Sequence, residues 1–158
     1  ILPIATQDVE GVEQNIATCF TVGRHFGLSD STIQKGISSF QTSSNRLKKI
    51  VTNGITFMDD TYNNNPSGLR FALNVLRQMP GRKIALIGDM LELGPASNEE
   101  HQNIPKLCIE LGINICIGFG PIMGTIQSKD YPYTHFPSRD DLITFLKAEL
   151  VPPNAPRN

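Results

Sequence analysis

At 158 residues the chain can fill one hydrophobic core with room for a small appendage. Its 39% hydrophobic and 18% charged residues are ordinary for a globular domain, and a net charge of −1 without a basic stripe gives no footing for a nucleic-acid partner. No apolar run approaches the roughly 20 residues of a membrane span, so none is expected. Cys19, Cys108 and Cys116 stand singly in apolar stretches, which reads as buried reduced thiols of a cytoplasmic protein rather than a disulfide or metal framework.

The chain opens on Ile1-Leu2-Pro3-Ile4, with no basic flank and no initiator methionine, so it does not read as a signal peptide. Both this end and the tail Val151–Asn158 are expected to be borders of a fragment. Val12, Ile16, Cys19, Phe20 and Phe26 recur at helical spacing, and Gly27 is placed to stop that helix. Ser29 or Asp30 can cap a second helix with an apolar face of Ile33, Ile37 and Phe40. The polar stretch 41–45 is the expected linker, which divides the chain into residues 1–44 and 45–158.

Beyond the linker, Leu47–Thr52 and Ile55–Met58 flank Asn53-Gly54, a strong hairpin signal. A strand ends at Asp59-Asp60, and Pro66 suits the first position of a helix with an apolar face of Leu69, Ala72, Leu73 and Leu76. Lys83–Ile87 reads as a buried parallel strand. Ser97 with Glu100 predicts a capping box for a helix reaching Leu111, stopped by Gly112. Ile113–Ile117 is the next strand, Gly118-Phe119-Gly120 a turn, Ile122–Ile126 a short helix and Tyr133–Phe136 a further strand. Ser138 and Asp141 open a last helix through Leu150. Alternating strands and helices predict an α/β fold, a Rossmann-like and mostly parallel sheet flanked by helices. Ligands of such sheets bind beyond the carboxyl ends of the strands, so the loops Asp59–Pro66 and Gly88–Gly94 should share one edge.

Asp59-Asp60-Thr61-Tyr62-Asn63-Asn64-Asn65-Pro66 is dense in polar groups. A carboxylate there suits the paired hydroxyls of a ribose, and asparagine amides ahead of a helix N-terminus suit phosphate. The same residues are also good turn formers and caps, and both readings stand. In Gly88-Asp89-Met90-Leu91-Glu92-Leu93-Gly94, Asp89 or Glu92 suits a substrate ammonium or a metal ion, or is a solvated acid. His101 is structural or touches ligand. Arg46 reaches a nucleotide at the domain junction or is an exposed strand charge. No partner is recognisable for His25 or His135. Nowhere does Gly-x-x-x-x-Gly-Lys-Ser/Thr occur, and no hydrolytic Ser/His/Asp or Cys/His arrangement is present.

Asp60-Thr61-Tyr62-Asn63-Asn64-Asn65-Pro66 is close to the Asp-x-Tyr-Asn-Ala-Asn-Pro of Mur ligases of the MurF branch. Gly88–Gly94, followed by Ser97 and His101, nearly copies that branch's pattern. Asn45-Arg46, Asn15-Ile16-Ala17 and Gly27-Leu28 extend the similarity, so that the chain resembles the C-terminal portion of such an enzyme over residues 5 to 150. The resemblance implies a Mur ligase C-terminal domain behind a helical remnant of the central ATP-binding domain. It also implies a monomeric cytoplasmic parent of peptidoglycan precursor synthesis. That ligase uses ATP to activate the carboxylate of UDP-N-acetylmuramoyl-tripeptide and joins it to the amine of D-alanyl-D-alanine.

By the same resemblance Arg46, Asp60 and Asn63 contact the nucleotide, while Tyr62, Asn65, Asp89, Met90, Glu92 and His101 lie toward the amine substrate. Mg2+ and the phosphates of ATP belong to the central domain, and this chain alone is expected to be inactive. Two departures accompany the match. Gly11 and Val12 replace the aromatic or histidine and the asparagine of the branch, and the closing strand with its Lys-Gly-Ser-Arg motif is missing after Leu150. Pro152-Pro153-Asn154 stands where that strand would begin. A truncated ligase and a diverged, non-catalytic Mur-ligase-like binding module both fit this, and a folylpolyglutamate- or cyanophycin-type ligase domain is the further alternative.

Overall fold

Asn53 and Gly54 take φ of 49° and 75°, the left-handed pair that a two-residue type I′ turn requires. They join β1 (Lys48–Thr52) to β2 (Ile55–Asp59) as an antiparallel pair, with Thr52 opposite Ile55 and Lys48 opposite Asp59. The computed structural model describes residues 10–40 and 46–150. The expected linker 41–45, the expected fragment borders, Pro152-Pro153-Asn154 and the surroundings of Gly11 and Val12 lie outside what is described. Two compact units divide between Leu47 and Lys48.

The first unit holds α1 (Glu10–His25) and α2 (Asp30–Ser39). Gly27, at φ 76°, stops α1. Ser29 caps α2 by accepting from the Thr32 amide at 3.3 Å, while Asp30 takes two 2.8 Å bonds from the Arg24 guanidinium. The helices touch where Gly23 leaves space for Ile33, since a Cβ on Gly23 would lie 2.7 Å from the Ile33 side chain. Ile33 is buried, but Phe26, Phe40 and Cys19 are exposed, contrary to the expected apolar faces. Two short helices share only one line of contact, and helical periodicity by itself cannot say how wide that line is.

In the second unit α3 (Pro66–Gln78) buries Leu69 and Leu73. Three parallel strands, β3 (Ile84–Gly88), β4 (Ile115–Phe119) and β5 (Thr134–Phe136), form a sheet in that order, with Ile84 opposite Ile115 and Ile117 opposite Thr134. The β3–β4 crossover carries α4 (Ser97–Gln102) and α5 (Ile104–Glu110), and α6 (Arg139–Leu150) follows β5. Leu73, Ile87, Met90, Ile104, Cys108 and Met123 are among the core residues. The α/β fold with a parallel sheet flanked by helices is therefore present.

Several local expectations need correction. Among the described residues β2 pairs only with β1, so the hairpin stands outside the parallel ladder. β3 occupies the sheet edge and leaves Leu86 48% exposed, where a strand buried on both faces was expected. Gly118 and Phe119 belong to β4, and Gly120 alone makes the turn. Ser97 is not a cap. The chain enters α4 through a 3₁₀ turn at Gly94–Ala96, and Ala96 makes no side-chain bond at the cap position. The helix also breaks at Asn103, because Pro105 has no amide to offer the His101 carbonyl. Gly112 ends α5 as expected, with its amide on the Ile109 carbonyl. The Ser138 hydroxyl accepts from the Asp141 amide at 3.2 Å, as predicted for the start of α6.

Candidate functional site

The loop between β2 and α3 organises itself through its own side chains. Asp59 Oδ1 accepts from the Thr61 amide at 3.2 Å and the Thr61 hydroxyl at 2.7 Å, the Asx-type turn that such residues favour. Asn63 Oδ1 accepts the Asn64 amide at 3.0 Å. Asn65 is the α3 cap, its Oδ1 taking the Gly68 amide at 2.8 Å and the Ser67 hydroxyl at 2.9 Å. That oxygen, expected on the substrate side, is already engaged by the helix. Asp60 is half-buried, while Tyr62 and Asn63 are exposed. Asn64, to which no separate role was expected, donates its side-chain amide to the Gly88 carbonyl at 3.0 Å. The two expected ligand loops thereby meet at one edge.

The loop after β3 is held from beneath by His101, which is wholly enclosed. Its Nε2 accepts the Met90 amide at 3.0 Å, and its Nδ1 lies 2.6 Å from the Ser97 carbonyl. An amide only donates and a carbonyl only accepts, so the proton sits on Nδ1. Met90 is itself 1% exposed. Both residues were expected to reach substrate. Both are enclosed in this chain, and the bond between them ties the loop from inside. Glu92, by contrast, is exposed and sits at φ 64°, the left-handed region.

Asp89 also turns inward. Its carboxylate accepts the Ile122 amide at 3.2 Å and the Met123 amide at 2.8 Å, capping the 3₁₀ turn Met123–Thr125 that follows β4. From the other side, the Tyr133 hydroxyl donates to the Met123 carbonyl at 2.7 Å and His135 Nε2 donates to the Gly120 carbonyl at 2.9 Å. His135 thus has the partner that sequence spacing did not reveal. Burial, then the nearby Cys116 and Asp89, push the Tyr133 phenol well above its usual range, so it remains a donor. The glycines record this crowding. A Cβ on Gly118 would collide with the Tyr133 hydroxyl, and one on Gly120, whose φ is 120°, would lie 2.6 Å from the Asp89 carboxylate.

A cleft of about 500 Å³ runs between α3 and the α4–α5 segment, lined by Ser67, Arg70, Met90, Glu100, Asn103 and Lys106 among others. It offers both signs of charge above an apolar floor, a combination suited to a zwitterion. Arg46 is exposed and falls in the first unit. Among the described residues no three His, Cys, Asp or Glu side chains gather as a metal site. No described helix is long and apolar enough to cross a membrane.

Known proteins resemble the chain in sequence and in fold. A UDP-N-acetylmuramoyl-tripeptide--D-alanyl-D-alanine ligase of Buchnera aphidicola subsp. Acyrthosiphon pisum is 34% identical over 116 residues, covering 73% of this chain and 26% of that protein. The enzyme of the same name from Escherichia coli is 30% identical over 122 residues, covering 77% of this chain and 27% of that protein. Among solved structures, a UDP-N-acetylmuramoylalanyl-D-glutamyl-2,6-diaminopimelate--D-alanyl-D-alanyl ligase from Acinetobacter baumannii superposes with a TM-score of 0.75 at 28% identity, over 94% of this chain and 32% of that one. MurF ligase from Thermotoga maritima in complex with ADP gives 0.71 at 26% identity, over 88% and 32%. The chain thus spans about a third or less of the length of these relatives. Residues 45–154 match the family model for the Mur ligase glutamate ligase domain, and the chain belongs to that family.

Proposed function

We propose that this chain is the nucleotide- and amine-facing portion of an ATP-dependent amide-forming ligase. That enzyme adds D-alanyl-D-alanine to UDP-N-acetylmuramoyl-tripeptide in cytoplasmic peptidoglycan precursor synthesis. The observation that carries the reading is the meeting of the Asp59–Pro66 and Gly88–Gly94 loops at one edge of a Mur-family domain. The similar enzymes bear that activity in their names, and one related structure is described as a complex with ADP.

In this reading Asp60 holds the ribose hydroxyls, since a carboxylate accepts both. Asn63 faces the phosphate end, the exposed Tyr62 lies toward the amine substrate, and Arg46 is a further nucleotide contact. Glu92 is the exposed acid of the second loop and attracts the ammonium of the incoming dipeptide. Asp89, Met90 and His101 hold that loop in place, and Asn65 holds the start of α3. The bound nucleotide supplies the phosphoryl group that activates the tripeptide carboxylate. This chain's own part is to bind, orient and, on closure, exclude water from the activated acyl group. Magnesium is assigned to the remainder of the enzyme. The boundary between the two domains is placed between residues 44 and 45, the parent is taken as a monomer, and this chain alone is proposed to be inactive.

The test is made in the full-length enzyme. Asp60→Ala and Asn63→Ala should each raise the KM for ATP by about tenfold, the equivalent of one charge-assisted hydrogen bond. A ligase rate and ATP dependence unchanged in both variants would remove the site assignment.

A further inference from the structure

The run Asn63-Asn64-Asn65 places three identical side chains in one loop, and each takes a different partner. Asn63 stays local and Asn65 caps α3, whereas Asn64 reaches across to the last residue of β3. Of the three, Asn64 alone is half-buried, with exposed neighbours on either side. Among the described residues β2 pairs only with β1, and β3 only with β4. No backbone ladder therefore sets how the end of β2 lies against the end of β3. A side-chain bond bridging those two ends performs what ladder hydrogen bonds do inside a continuous sheet.

We propose that Asn64 is a positioning residue, whose bond to the Gly88 carbonyl holds the loop bearing Asp60, Tyr62 and Asn63 in fixed register with the loop bearing Glu92. The functional part of this inference rests on the reading that these loops face nucleotide and amine substrate. Gly88 is well chosen as the acceptor. The next residues, Asp89 and Met90, are anchored to the β4 turn and to His101. A pull on the Gly88 carbonyl is therefore felt by a loop already held on its other sides.

Two variants isolate the bond. Asn64→Ala removes the donor, and Asn64→Asp keeps the shape but sets an oxygen against the carbonyl oxygen. Amide hydrogen exchange on the 158-residue chain should speed up about fivefold in both segments, 59–65 and 88–94, in both variants. Unchanged protection of Leu73 and Ile117 serves as the folding control. Exchange in 88–94 that stays at the wild-type rate overturns the tie. In the full-length enzyme the KM for D-alanyl-D-alanine should rise about fivefold in Asn64→Ala while kcat stays within about twofold. A wild-type KM in that variant overturns the positioning role. A parent enzyme without ligase turnover would instead remove the functional reading, and the exchange result would still decide whether Asn64 ties the loops.

Discussion

His101 Nε2 accepts the Met90 amide at 3.0 Å while its Nδ1 donates to the Ser97 carbonyl at 2.6 Å, so one enclosed imidazole joins the loop after β3 to the first turn of α4. Replacing it with phenylalanine keeps most of the volume but orphans the Met90 amide in a buried site. We expect His101→Phe to lower unfolding stability by about 1–3 kcal/mol, read from the urea midpoint at unchanged m. Exchange at Met90 should accelerate more than exchange at Leu73. A variant as stable as wild type would show that the imidazole does not hold the loop.

Asp89 and Gly120 form a second coupled pair. Alanine at residue 120 adds a methyl group 2.6 Å from the carboxylate at a φ of 120°, pushing Asp89 off the Ile122 and Met123 amides. Gly120→Ala should destabilise by about 2 kcal/mol or more. In an Asp89→Ala background the same change should cost less, because the steric part of the penalty has gone and only the backbone strain remains. A double-mutant cycle measures this, and strict additivity would contradict the contact.

The pH dependence lies on the alkaline side. The Tyr133 phenol is raised from 10.0, chiefly by burial, and the Cys108 thiol is raised from 9.0, chiefly by its hydrogen bond with Cys116 and then by burial. In both cases the folded chain keeps a proton that the unfolded chain releases. Stability is therefore full below the unfolded values and is lost as pH rises past about 9 and then 10. Tyr133→Phe should be less stable at neutral pH by about 1 kcal/mol, through loss of the bond to Met123, and should show a shallower decline above about pH 10. Chemical denaturation from about pH 8 to 11 checks both statements, and a flat wild-type profile across that window excludes them.

Local chemistry carried much of this architecture in advance. Asn53-Gly54, Ser29, Pro66, Gly112 and Ser138 each act within a few residues of themselves. Their turn, cap and stop roles follow from φ preferences and hydrogen-bond reach that a sequence displays directly. The Ser97–Glu100 pair misled for the same reason. Its spacing satisfies a capping box, but the preceding 3₁₀ turn had already begun the helix, and Pro105 interrupted it.

The loop Asp59–Pro66 and its counterpart Gly88–Gly94 were legible as polar motifs of a known family, but β2 lies outside the parallel sheet, so their meeting rests on the Asn64–Gly88 bond and not on a shared ladder. Which of their side chains face outward was decided only in three dimensions. From residue type alone Asp89 and His101 could bind ligand or serve the fold, and only the family resemblance put them toward the amine substrate. Yet their partners lie up to 34 residues away, occupying both ring nitrogens of His101 and one site on each oxygen of Asp89. Asn64 had no distinguishing mark among three asparagines until Gly88 came within 3.0 Å of it. The sequence by itself determined the order of most elements, because turns, caps and periodicity are short-range, and its two motifs carried the family resemblance. Only the tertiary structure decided which of the loop side chains are enclosed and which are exposed, because burial and long-range hydrogen bonding belong to the folded chain.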